Sequence, residues 1–549
     1  MKNFLFFTLL IVLISFSESK ANNLVKEKNQ DSTFADILNY PDKAILTTDD
    51  ESVNMVFDGK KFNYKNIDIK FSKKVNGLTV LLSSTTTPIK YLKLHWTAKF
   101  PTDWKYLSDS WERSYGDLQW KAFDTSSIMP WYFFVSNKSI THSYGVMTSP
   151  SAICGWMFDS KGVTLILDVR NGGMGVQLGQ RELNVCTIVS RKGNNNESVY
   201  NATRAFCKQM CPNPRVLKYP IYGFNDWYCD YGKNSEESVK WYANYIVKLS
   251  PKGKNRPFMV VDDGWQTGGG NGSGGPWDYG NENFPSMKNL SKEINKAGAK
   301  SGIWIRLLTA QNQPKAWRMQ NNQKTLDPSN PDVLDYVKQL ITTIKSWGFE
   351  LLKHDYSTFD INGTFKSAAA EPSATWTFAD RTRTTAEITK DFYHAIREAA
   401  GDDMLVMGCT TVGHLSAGVF DISRIGDDTS GKDWDRVLKM GVNTLAFRSS
   451  QNGSFYAVDA DCVGLTGPEM IPWKLNSQWL TLLAKSGTPL FISFKKGSLT
   501  SDQEKDVMQA LEIASKVQPL AEPIDWFDTK TPKTWDFNGE VKTFDWNLK

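Results

Sequence analysis

Short apolar runs alternate with stretches of helical periodicity from Tyr219 onward, and this alternation constrains the fold most strongly. Strand, loop and helix in repeated order predict parallel strands joined by crossover helices. Apolar runs that fit strands occupy residues 221–227, 258–263, 301–307, 350–356, 404–409, 420–426, 454–459 and 489–494. Helical segments fit between many of them, at 235–249, 289–297, 332–347, 386–400 and 434–440. Because eight parallel strands close a (β/α)8 barrel, residues 216–515 are predicted to form a TIM barrel.

The chain on either side of the barrel has a different pattern. Residues 22–215 contain apolar residues at every second position, for example at 78–82, 91–96, 131–135 and 163–169, which predicts an N-terminal β-sandwich. Residues 516–549 contain two further strand-like runs and are too few for a second sandwich. They form either a short C-terminal β segment or the remnant of a larger domain. The predicted fold class is therefore multidomain: a β-sandwich, a TIM barrel and a short β segment.

The first residues are typical of an export signal. Lys2 precedes an almost wholly apolar run at 4–16, and Ser19 and Ala21 are small residues at the positions that determine cleavage. We therefore expect residues 1–21 to be a signal peptide and the protein to be exported, to a periplasm or to the medium. Elsewhere the sequence has no apolar run of the roughly 20 residues that a membrane span requires.

Charge and composition argue against nucleic acid, metal ions and cofactors as binding partners. Lys and Arg total 64 and Asp and Glu 59, and this net charge of +5 lacks the basic concentration typical of nucleic-acid binding. The five His and seven Cys residues match no zinc-site spacing, so the sequence predicts no metal and no cofactor. Cys207 with Cys211, or Cys154 with Cys186, could form a disulfide, and the sequence leaves both open.

The glycine-rich stretch 268–275 formally matches a dinucleotide fingerprint. That fingerprint requires a helix to open at its last glycine, and Pro276 follows Gly275 instead. We therefore reject it in favour of a mobile lid or a loop that contacts the leaving group of a substrate.

Acidic residues follow three of the predicted strands. Asp262 and Asp263 end the second strand, Asp355 the fourth, and Asp427 and Asp428 the sixth. Catalytic residues of barrel enzymes lie at the carboxyl ends of the strands, so these acids are expected to meet in one cleft. Two carboxyl groups that flank a scissile bond are what glycoside hydrolysis requires. The pattern predicts a glycosidase.

The same motifs carry a family resemblance. GFNDW (223–227), VDDGWQ (261–266), TLDPSNPDV (325–333), LLKHD (351–355), GC (408–409) and RIGDDT (424–429) occur in this order. In order and spacing the sequence resembles the melibiase-like α-galactosidases of glycoside hydrolase families 36 and 27, which form clan D. The resemblance covers residues 220–500, and an N-terminal β domain also fits family 36.

The resemblance implies roles for individual residues. It assigns the nucleophile to Asp355, and it assigns the acid/base to Asp428, four residues after Arg424, rather than to Asp427. Asp262 and Asp263 are expected to bind sugar hydroxyls. The residues implied to line the same pocket are Lys353, Arg424, Trp265 and Cys409.

Physical reasoning adds to these roles and leaves some open. Lys353 lies two residues before Asp355 on the same side of a strand, where its charge favours the carboxylate. Aromatic rings suit sugar faces, but Trp227, Trp304 and Trp265 could equally be barrel packing. Arg306 could hold a hydroxyl or pair with an acid. The third strand, which carries Trp304 and Arg306, departs from the usual family 36 motif, so the sequence does not decide which sugar the pocket binds.

The resulting prediction is a retaining exo-glycosidase that removes terminal α-galactosyl residues from oligosaccharides or polysaccharides. On the same machinery, α-N-acetylgalactosaminidase and β-L-arabinopyranosidase are the alternatives. A glycan-binding barrel without catalysis is the alternative of a different class. The oligomeric state is left open.

Overall fold

The computed structural model describes residues 33–365, 375–465 and 471–548. The predicted signal peptide, residues 1–21, lies outside this range. The described chain forms two antiparallel sheets, a parallel sheet with helices and a small antiparallel sheet, in that order. This confirms the predicted fold class of an N-terminal sandwich, a TIM-like barrel and a short C-terminal β segment.

The N-terminal sheets are built from alternating strands whose inward side chains are apolar. One sheet has the strand order β2-β1-β7-β13-β12-β9 and the other β3-β4-β5-β6-β14-β11-β10-β8. In β6, Leu78, Val80 and Leu82 are fully buried, as a period-two pattern requires. The region ends in helix α1, Val199–Met210. The strands are β1 Lys43–Thr48, β2 Ser52–Asn54, β3 Val56–Phe57, β4 Lys61–Tyr64, β5 Ile67–Lys74, β6 Gly77–Ser84, β7 Ile89–Thr97, β8 Lys105–Ser108, β9 Met129–Pro130, β10 Tyr132–Ser136, β11 Thr141–Val146, β12 Ile153–Phe158, β13 Gly162–Asp168 and β14 Glu182–Arg191.

The barrel sheet is parallel, and all of its strands except β24 fall on the predicted apolar runs. The strand order is β23-β22-β21-β20-β17-β16-β15-β25-β24, and β18 and β19 form a separate hairpin. The strands are β15 Tyr222–Asn225, β16 Phe258–Val261, β17 Lys300–Ile305, β18 Arg318–Met319, β19 Asn322–Leu326, β20 Leu351–His354, β21 Leu405–Gly408, β22 Ile422–Arg424, β23 Ala457–Asp459, β24 Cys462–Leu465 and β25 Leu490–Phe494.

One strand of the barrel is broken, which the sequence did not predict. β23 and β24 stand at opposite ends of the strand order, yet only Ala460 and Asp461 separate them in the chain. The sheet therefore closes through this connection, and the two short strands share the seventh position. Asp461 has a φ of 71°, a left-handed conformation that interrupts the strand. The predicted strand 454–459 captured only its first half.

Helices pack around the barrel and begin at capping residues that the sequence supplies. In α5, Asn330 caps the first turn and Pro331 occupies its start. In α7, Thr384 and Glu387 form a capping box. No helix in the described ranges is long and apolar enough to span a membrane. The helices are α2 Trp227–Asp230, α3 Glu236–Leu249, α4 Met287–Ala297, α5 Pro331–Ser346, α6 Ser357–Asn362, α7 Thr385–Ala400, α8 Gly413–Ser416, α9 Trp434–Arg436, α10 Thr444–Arg448, α11 Trp473–Lys485 and α12 Ser501–Ala514.

The predicted helix at 434–440 is more irregular than expected. The α-helical turn α9 passes into a π-helical segment, Val437–Asn443, which continues into α10. Single 3-10 turns occur at Lys315–Trp317 and Ser449–Gln451.

A loop of the N-terminal region, residues 109–116, is fastened to the top of the barrel. The Ser114 N–H donates to the carbonyl of Ile425, at 2.8 Å, just after β22. Arg448 at the end of α10 is buried and forms an ion pair with Asp109 at 2.9 Å. Because an unpaired buried charge is costly, this pair holds the loop in place. The 109–116 loop therefore reaches the carboxyl end of the barrel strands.

The C-terminal residues form a three-stranded antiparallel sheet of β26 Glu522–Pro523, β27 Thr534–Asp536 and β28 Val541–Thr543. Trp535 in β27 is fully buried. The Trp434 indole donates to the carbonyl of Trp546 at 2.9 Å, which joins this segment to the barrel. It is thus a β appendage of the barrel.

All seven cysteines are buried free thiols. Neither of the two candidate pairs is a disulfide in this structure.

Candidate active site

A cavity lies at the carboxyl ends of the barrel strands, and charged and aromatic side chains dominate its walls. Of the site residues predicted from the sequence, it brings together Trp227, Asp262, Asp263, Trp304, Lys353, Asp355, Cys409, Arg424 and Asp428. The other lining residues are Arg113, Asn225, Tyr228, Gly272, Tyr356, Phe359, Thr410 and Asp461.

Asp355 follows β20, and its carboxylate is held from two sides. The Trp304 indole N–H donates to Oδ2 at 3.1 Å, and the Tyr356 backbone N–H donates to Oδ1 at 2.7 Å. Burial opposes the charged form, but the positive charges of Arg113 and Lys353 outweigh it. The pKa of Asp355 therefore lies below its ordinary value of 3.8. Asp355 is an ionised carboxylate with a fixed orientation.

Lys353 and Asp262 form a buried ion pair in the floor of the cavity. The ammonium Nζ lies 2.7 Å from Asp262 Oδ2, and the Asn225 amide donates to the same oxygen at 2.7 Å. Burial disfavours the charged amine, but Asp262 more than compensates, so the pKa of Lys353 lies well above its ordinary value. The sequence predicts that Lys353 favours ionised Asp355, and the positive charge of Lys353 does lower the pKa of Asp355.

Asp262 and Asp263 both line the cavity because β16 ends before them, at Val261. Gly264 has a φ of 123°, a conformation that favours glycine and permits a turn directly after the two acids. Asp263 accepts the backbone N–H groups of Gly270 at 2.9 Å and Gly272 at 2.6 Å. One carboxylate therefore anchors the glycine-rich stretch against the cavity.

The glycine-rich stretch approaches the cavity too closely for a side chain. Gly272 has a φ of 67° and lies against Tyr356, so a Cβ at this position would overlap the tyrosine ring. Its place in the wall therefore requires glycine.

Asp428 lies on the loop after β22, between two arginines. Its Oδ1 is 3.1 Å from Arg424 Nη2 and 3.8 Å from Arg113 Nη1. Although 39% of its side chain is accessible, the carboxyl group lines the cavity, and the surrounding protein partly desolvates it. Burial and the negative charge of Asp461 outweigh both arginines, and the pKa of Asp428 lies above its ordinary value of 3.8. Asp428 is thus suited to carry a proton.

Asp427, the competing acid, has a different environment. Its two oxygens pair with Arg113 Nη2 at 3.0 Å and Arg436 Nη2 at 2.8 Å. It positions Arg113 at the cavity rather than facing the cavity itself. This arrangement favours Asp428 for the acid role.

Arg424 is almost completely buried and contacts acids at the break between β23 and β24. Besides Asp428, its guanidinium contacts Asp461 Oδ1 at 3.2 Å and the Cys409 thiol at 3.6 Å. Asp461 also accepts hydrogen bonds from the Tyr228 hydroxyl and from the Thr429 backbone N–H. Burial disfavours the charged form of Asp461, but the positive charges of Arg424 and Lys353 outweigh it. The pKa of Asp461 therefore lies below its ordinary value. Asp461 is therefore an anionic partner of Arg424.

Two predicted residues lie away from the cavity. Trp265 is fully buried, donates its indole N–H to the Trp304 carbonyl at 2.8 Å and packs edge-on against Trp277 and Trp347. It supports Trp304 instead of facing a ligand.

Arg306 pairs with an acid, one of the two alternatives that the sequence left open. Its Nε lies 3.0 Å from Asp360, and its Nη1 donates to the Gly272 carbonyl at 2.6 Å. Its guanidinium stacks on the Tyr356 ring at 4.3 Å. With its donors used in this way, it braces the glycine-rich stretch and Tyr356 from behind.

Several residues that line the cavity were not predicted from the sequence. Arg113 comes from the sandwich, more than 200 residues before Asp355 and Asp428, and no local pattern marks it. Asp461 could have been predicted, because an acid just after the seventh predicted strand is the same signal that identified Asp355. Within the described parts of the chain, no group of three or more His, Cys, Asp or Glu could hold a metal ion.

The sequence matches no protein-family model, but the fold resembles solved enzymes. The α-galactosidase TtGalA of Thermus thermophilus, in complex with p-nitrophenyl α-D-galactopyranoside, superposes with a TM-score of 0.58 at 14% identity, over 87% of this chain and 96% of that chain. The same enzyme in complex with stachyose gives 0.55 at 14% identity, over 81% of this chain and 97% of that one.

A family 36 enzyme gives a similar result. A variant of the α-galactosidase AgaA from Geobacillus stearothermophilus, in complex with raffinose, has a TM-score of 0.52 at 15% identity, over 81% of this chain. This chain spans 66% of the length of that enzyme. These similarities show a shared fold over most of the chain.

Proposed function

We propose that this protein is a retaining exo-glycosidase that hydrolyses terminal α-D-galactosyl residues. One observation carries the proposal: Asp355 and Asp428 line the same cavity, and their surroundings shift their pKa values in opposite directions. Such a pair assigns the ionised and the protonated role of a two-carboxylate mechanism. The fold similarity to α-galactosidases supports the choice of sugar.

The proposed reaction has two steps. The Asp355 carboxylate attacks the anomeric carbon while Asp428 gives its proton to the departing glycosidic oxygen. A water molecule then attacks the galactosyl-enzyme, and Asp428, now ionised, accepts a proton from it. Trp304 and the Tyr356 N–H hold the attacking carboxylate in one orientation. Retention requires the two carboxyl groups to stand about 5 Å apart, whereas inversion requires a wider gap.

The other polar groups of the cavity have a positioning role in this proposal. Asp262, Asp263 and Lys353 line the cavity and present donors and acceptors to sugar hydroxyls. Trp227, which is only partly buried, offers an aromatic surface beside them. The Cys409 thiol, whose pKa burial raises well above its ordinary value, is a neutral lining group.

We further propose export through cleavage of residues 1–21, supported by the apolar run 4–16 and the small residues before position 22. N-terminal sequencing of protein recovered outside the cytoplasm should begin near Asn22. An intact Met1 on such protein would contradict this.

The decisive test compares p-nitrophenyl α-galactoside, α-N-acetylgalactosaminide and β-L-arabinopyranoside side by side. We expect the highest kcat/KM on the α-galactoside, with α-galactose as the first product by NMR. A preference for either other glycoside would change the sugar while keeping the mechanism, and β-galactose as first product would indicate inversion. Binding of galactosides without turnover on any substrate would make the protein a glycan-binding barrel.

A further inference from the structure

A groove crosses the outer face of the N-terminal sheet that contains β1, β7, β13 and β12. In these strands alternate side chains are buried inside the sandwich, for example Ala44 and Leu46 in β1, and the side chains between them point outward. Among the described residues, the groove shares no lining residue with the cavity at the barrel. It is therefore a separate candidate site.

The strand register places the outward side chains in two rows across the sheet. From β1 to β12, the first row is Lys43, His95, Thr164 and Met157. From β2 to β13, the second row is Asn54, Ile45, Lys93 and Ile166. Neighbouring strands lie about 4.8 Å apart, a spacing comparable to the length of one sugar unit in a polysaccharide. An extended ligand that crosses the strands would therefore meet new side chains at each sugar.

The groove carries more positive than negative charge. Lys43, Lys93 and Lys161 line it, and Asp159 is the one acid among its described lining residues. Asp159 is already engaged, because its Oδ1 accepts the backbone N–H of Lys161 at 2.7 Å and its Oδ2 lies 3.5 Å from His95 Nδ1. Within the described parts of the chain, none of the three lysines forms an ion pair. Ammonium groups without counter-charges along one groove favour an anionic ligand.

The other lining residues favour an acidic polysaccharide over other polyanions. A membrane surface is bound by apolar side chains that protrude, whereas Ile45 and Ile166 are partly buried within the groove. Nucleic acid is bound largely through arginine and stacking aromatic rings, and the described lining residues include no Arg, Trp or Tyr. The Asn54 amide and the Thr125 and Ser160 hydroxyls also line the groove, and such groups suit sugar hydroxyls.

We infer that this groove binds a linear acidic polysaccharide, with Lys43 and Lys93 pairing with its anionic groups. The inference goes beyond the proposed hydrolysis, because the groove is separate from the cavity and its occupation requires no reaction. In the exported enzyme that we propose, such a site would hold the barrel close to galactosyl branches of the bound polymer.

Calorimetric titration of the full chain with polygalacturonate tests the inference. The variant combines Lys43→Ser with Lys93→Ser, at two exposed positions whose substitution leaves the buried face of the sheet intact. We expect the Kd for polygalacturonate to rise roughly tenfold in this double variant, since it loses two exposed charge pairs. Added salt should weaken binding to the wild type, because it screens exposed charges. Turnover of p-nitrophenyl α-galactoside should be unchanged in the double variant.

The double variant Lys60→Ser with Lys74→Ser is the matched control. It removes the same charge from exposed positions of the other N-terminal sheet, in the β3–β4 turn and at the end of β5. The Kd for polygalacturonate should stay at the wild-type value. Equal weakening in both double variants would assign binding to net charge alone and would overturn the inference. Absence of binding to the wild type, or equally tight binding of neutral galactomannan, would also overturn it.

Two further probes separate the polysaccharide from other polyanions. Vesicles that contain phosphatidylglycerol and double-stranded DNA should both bind more weakly than polygalacturonate, and equal or tighter binding of either would overturn the inference. These binding measurements stand apart from catalysis. A wild type that binds polygalacturonate through Lys43 and Lys93 but hydrolyses no glycoside would reject the proposed function alone, and the reverse result would reject the groove alone.

Discussion

The two carboxyl groups of the site occupy contrasting regions of the barrel. Asp355 directly follows β20 and is fixed by hydrogen bonds from a neighbouring strand and from its own backbone. Asp428 lies four residues beyond the end of β22, on a loop that contacts both the N-terminal region and the broken seventh strand. The pKa of Asp355, at the end of a strand, is lowered, and the pKa of Asp428, on a loop, is raised.

The difference shows how one barrel can hold two acids in different protonation states. Asp355 keeps its charge because cations act on it from two directions. Asp428 also has two arginines, but the negative charges of Asp461 and Asp427 act on it as well and raise its pKa. The cations near Asp355 are shared with other acids too, but Asp355 also accepts hydrogen bonds from Trp304 and Tyr356, which favour its charged form.

The largest effects should come from removing each acid. We expect Asp355→Ala to lower kcat/KM on p-nitrophenyl α-galactoside by about 10⁴-fold or more, as for loss of a nucleophile. Asp428→Ala should lower it by roughly 10²- to 10⁴-fold, as for loss of a general acid. Steady-state kinetics measures both, with Asp427→Ala as the matched control.

Azide separates the two roles. Azide should rescue Asp355→Ala with formation of β-galactosyl azide, since it replaces the nucleophile from the opposite face. It should rescue Asp428→Ala with formation of α-galactosyl azide, since the nucleophile is intact. If Asp427→Ala were the rescued variant and Asp428→Ala nearly wild type, the acid assignment would move to Asp427.

Arg113 tests whether the sandwich tunes both acids. Its charge lowers the pKa of Asp355 and of Asp428, so Arg113→Met should raise both. The acid and alkaline limbs of the kcat/KM profile should both move to higher pH, and the maximum should fall roughly 10- to 100-fold. Arg436→Met is the control, because Arg436 also pairs with Asp427 but does not line the cavity. Limbs that stay in place would mean that Arg113 only shapes the wall.

Asp461 should affect one acid and spare the other. Its negative charge raises the pKa of Asp428, so Asp461→Asn should lower that pKa and move the alkaline limb to lower pH. The acid limb, set by Asp355, should remain, and kcat/KM should fall by roughly tenfold. Asp459→Asn is the control, since Asp459 lies 4.0 Å from Arg424 but outside the cavity. An alkaline limb that moves upward would contradict the role given to Asp461.

The sequence predicted the regular parts of this molecule and missed those that depend on distant contacts. Apolar runs located the barrel strands because a buried parallel strand must be apolar on both faces. The acids at their ends were visible because the barrel brings strand ends together. Arg113 was invisible, since its place depends on the fastening of the 109–116 loop by Arg448. The break at Asp461 was not predicted for a different reason, because it depends on one local backbone dihedral angle.

Side-chain direction was the other limit, and two tryptophans illustrate it. Trp265 and Trp304 both lie near the ends of barrel strands, and the family resemblance favoured Trp265 as the residue that lines the pocket. In the structure Trp304 donates to Asp355 at 3.1 Å, whereas Trp265 donates to the carbonyl of Trp304. The turn at Gly264 directs the Trp265 ring behind the wall, which a motif cannot reveal.

The smallest effects should separate these two tryptophans. Trp304→Phe removes one neutral donor from Asp355, so we expect its pKa to rise, the acid limb to move to higher pH and kcat/KM to fall about fivefold. Trp265→Phe leaves a buried carbonyl without its donor and a void in the core, so the free energy of unfolding should fall by about 2 kcal/mol with an unchanged pH profile. Urea unfolding and the pH dependence of kcat/KM measure both quantities in each variant. A shifted profile in Trp265→Phe would show that the support of Trp304 reaches the reacting carboxylate, and the contrast between the two rings would then be one of degree.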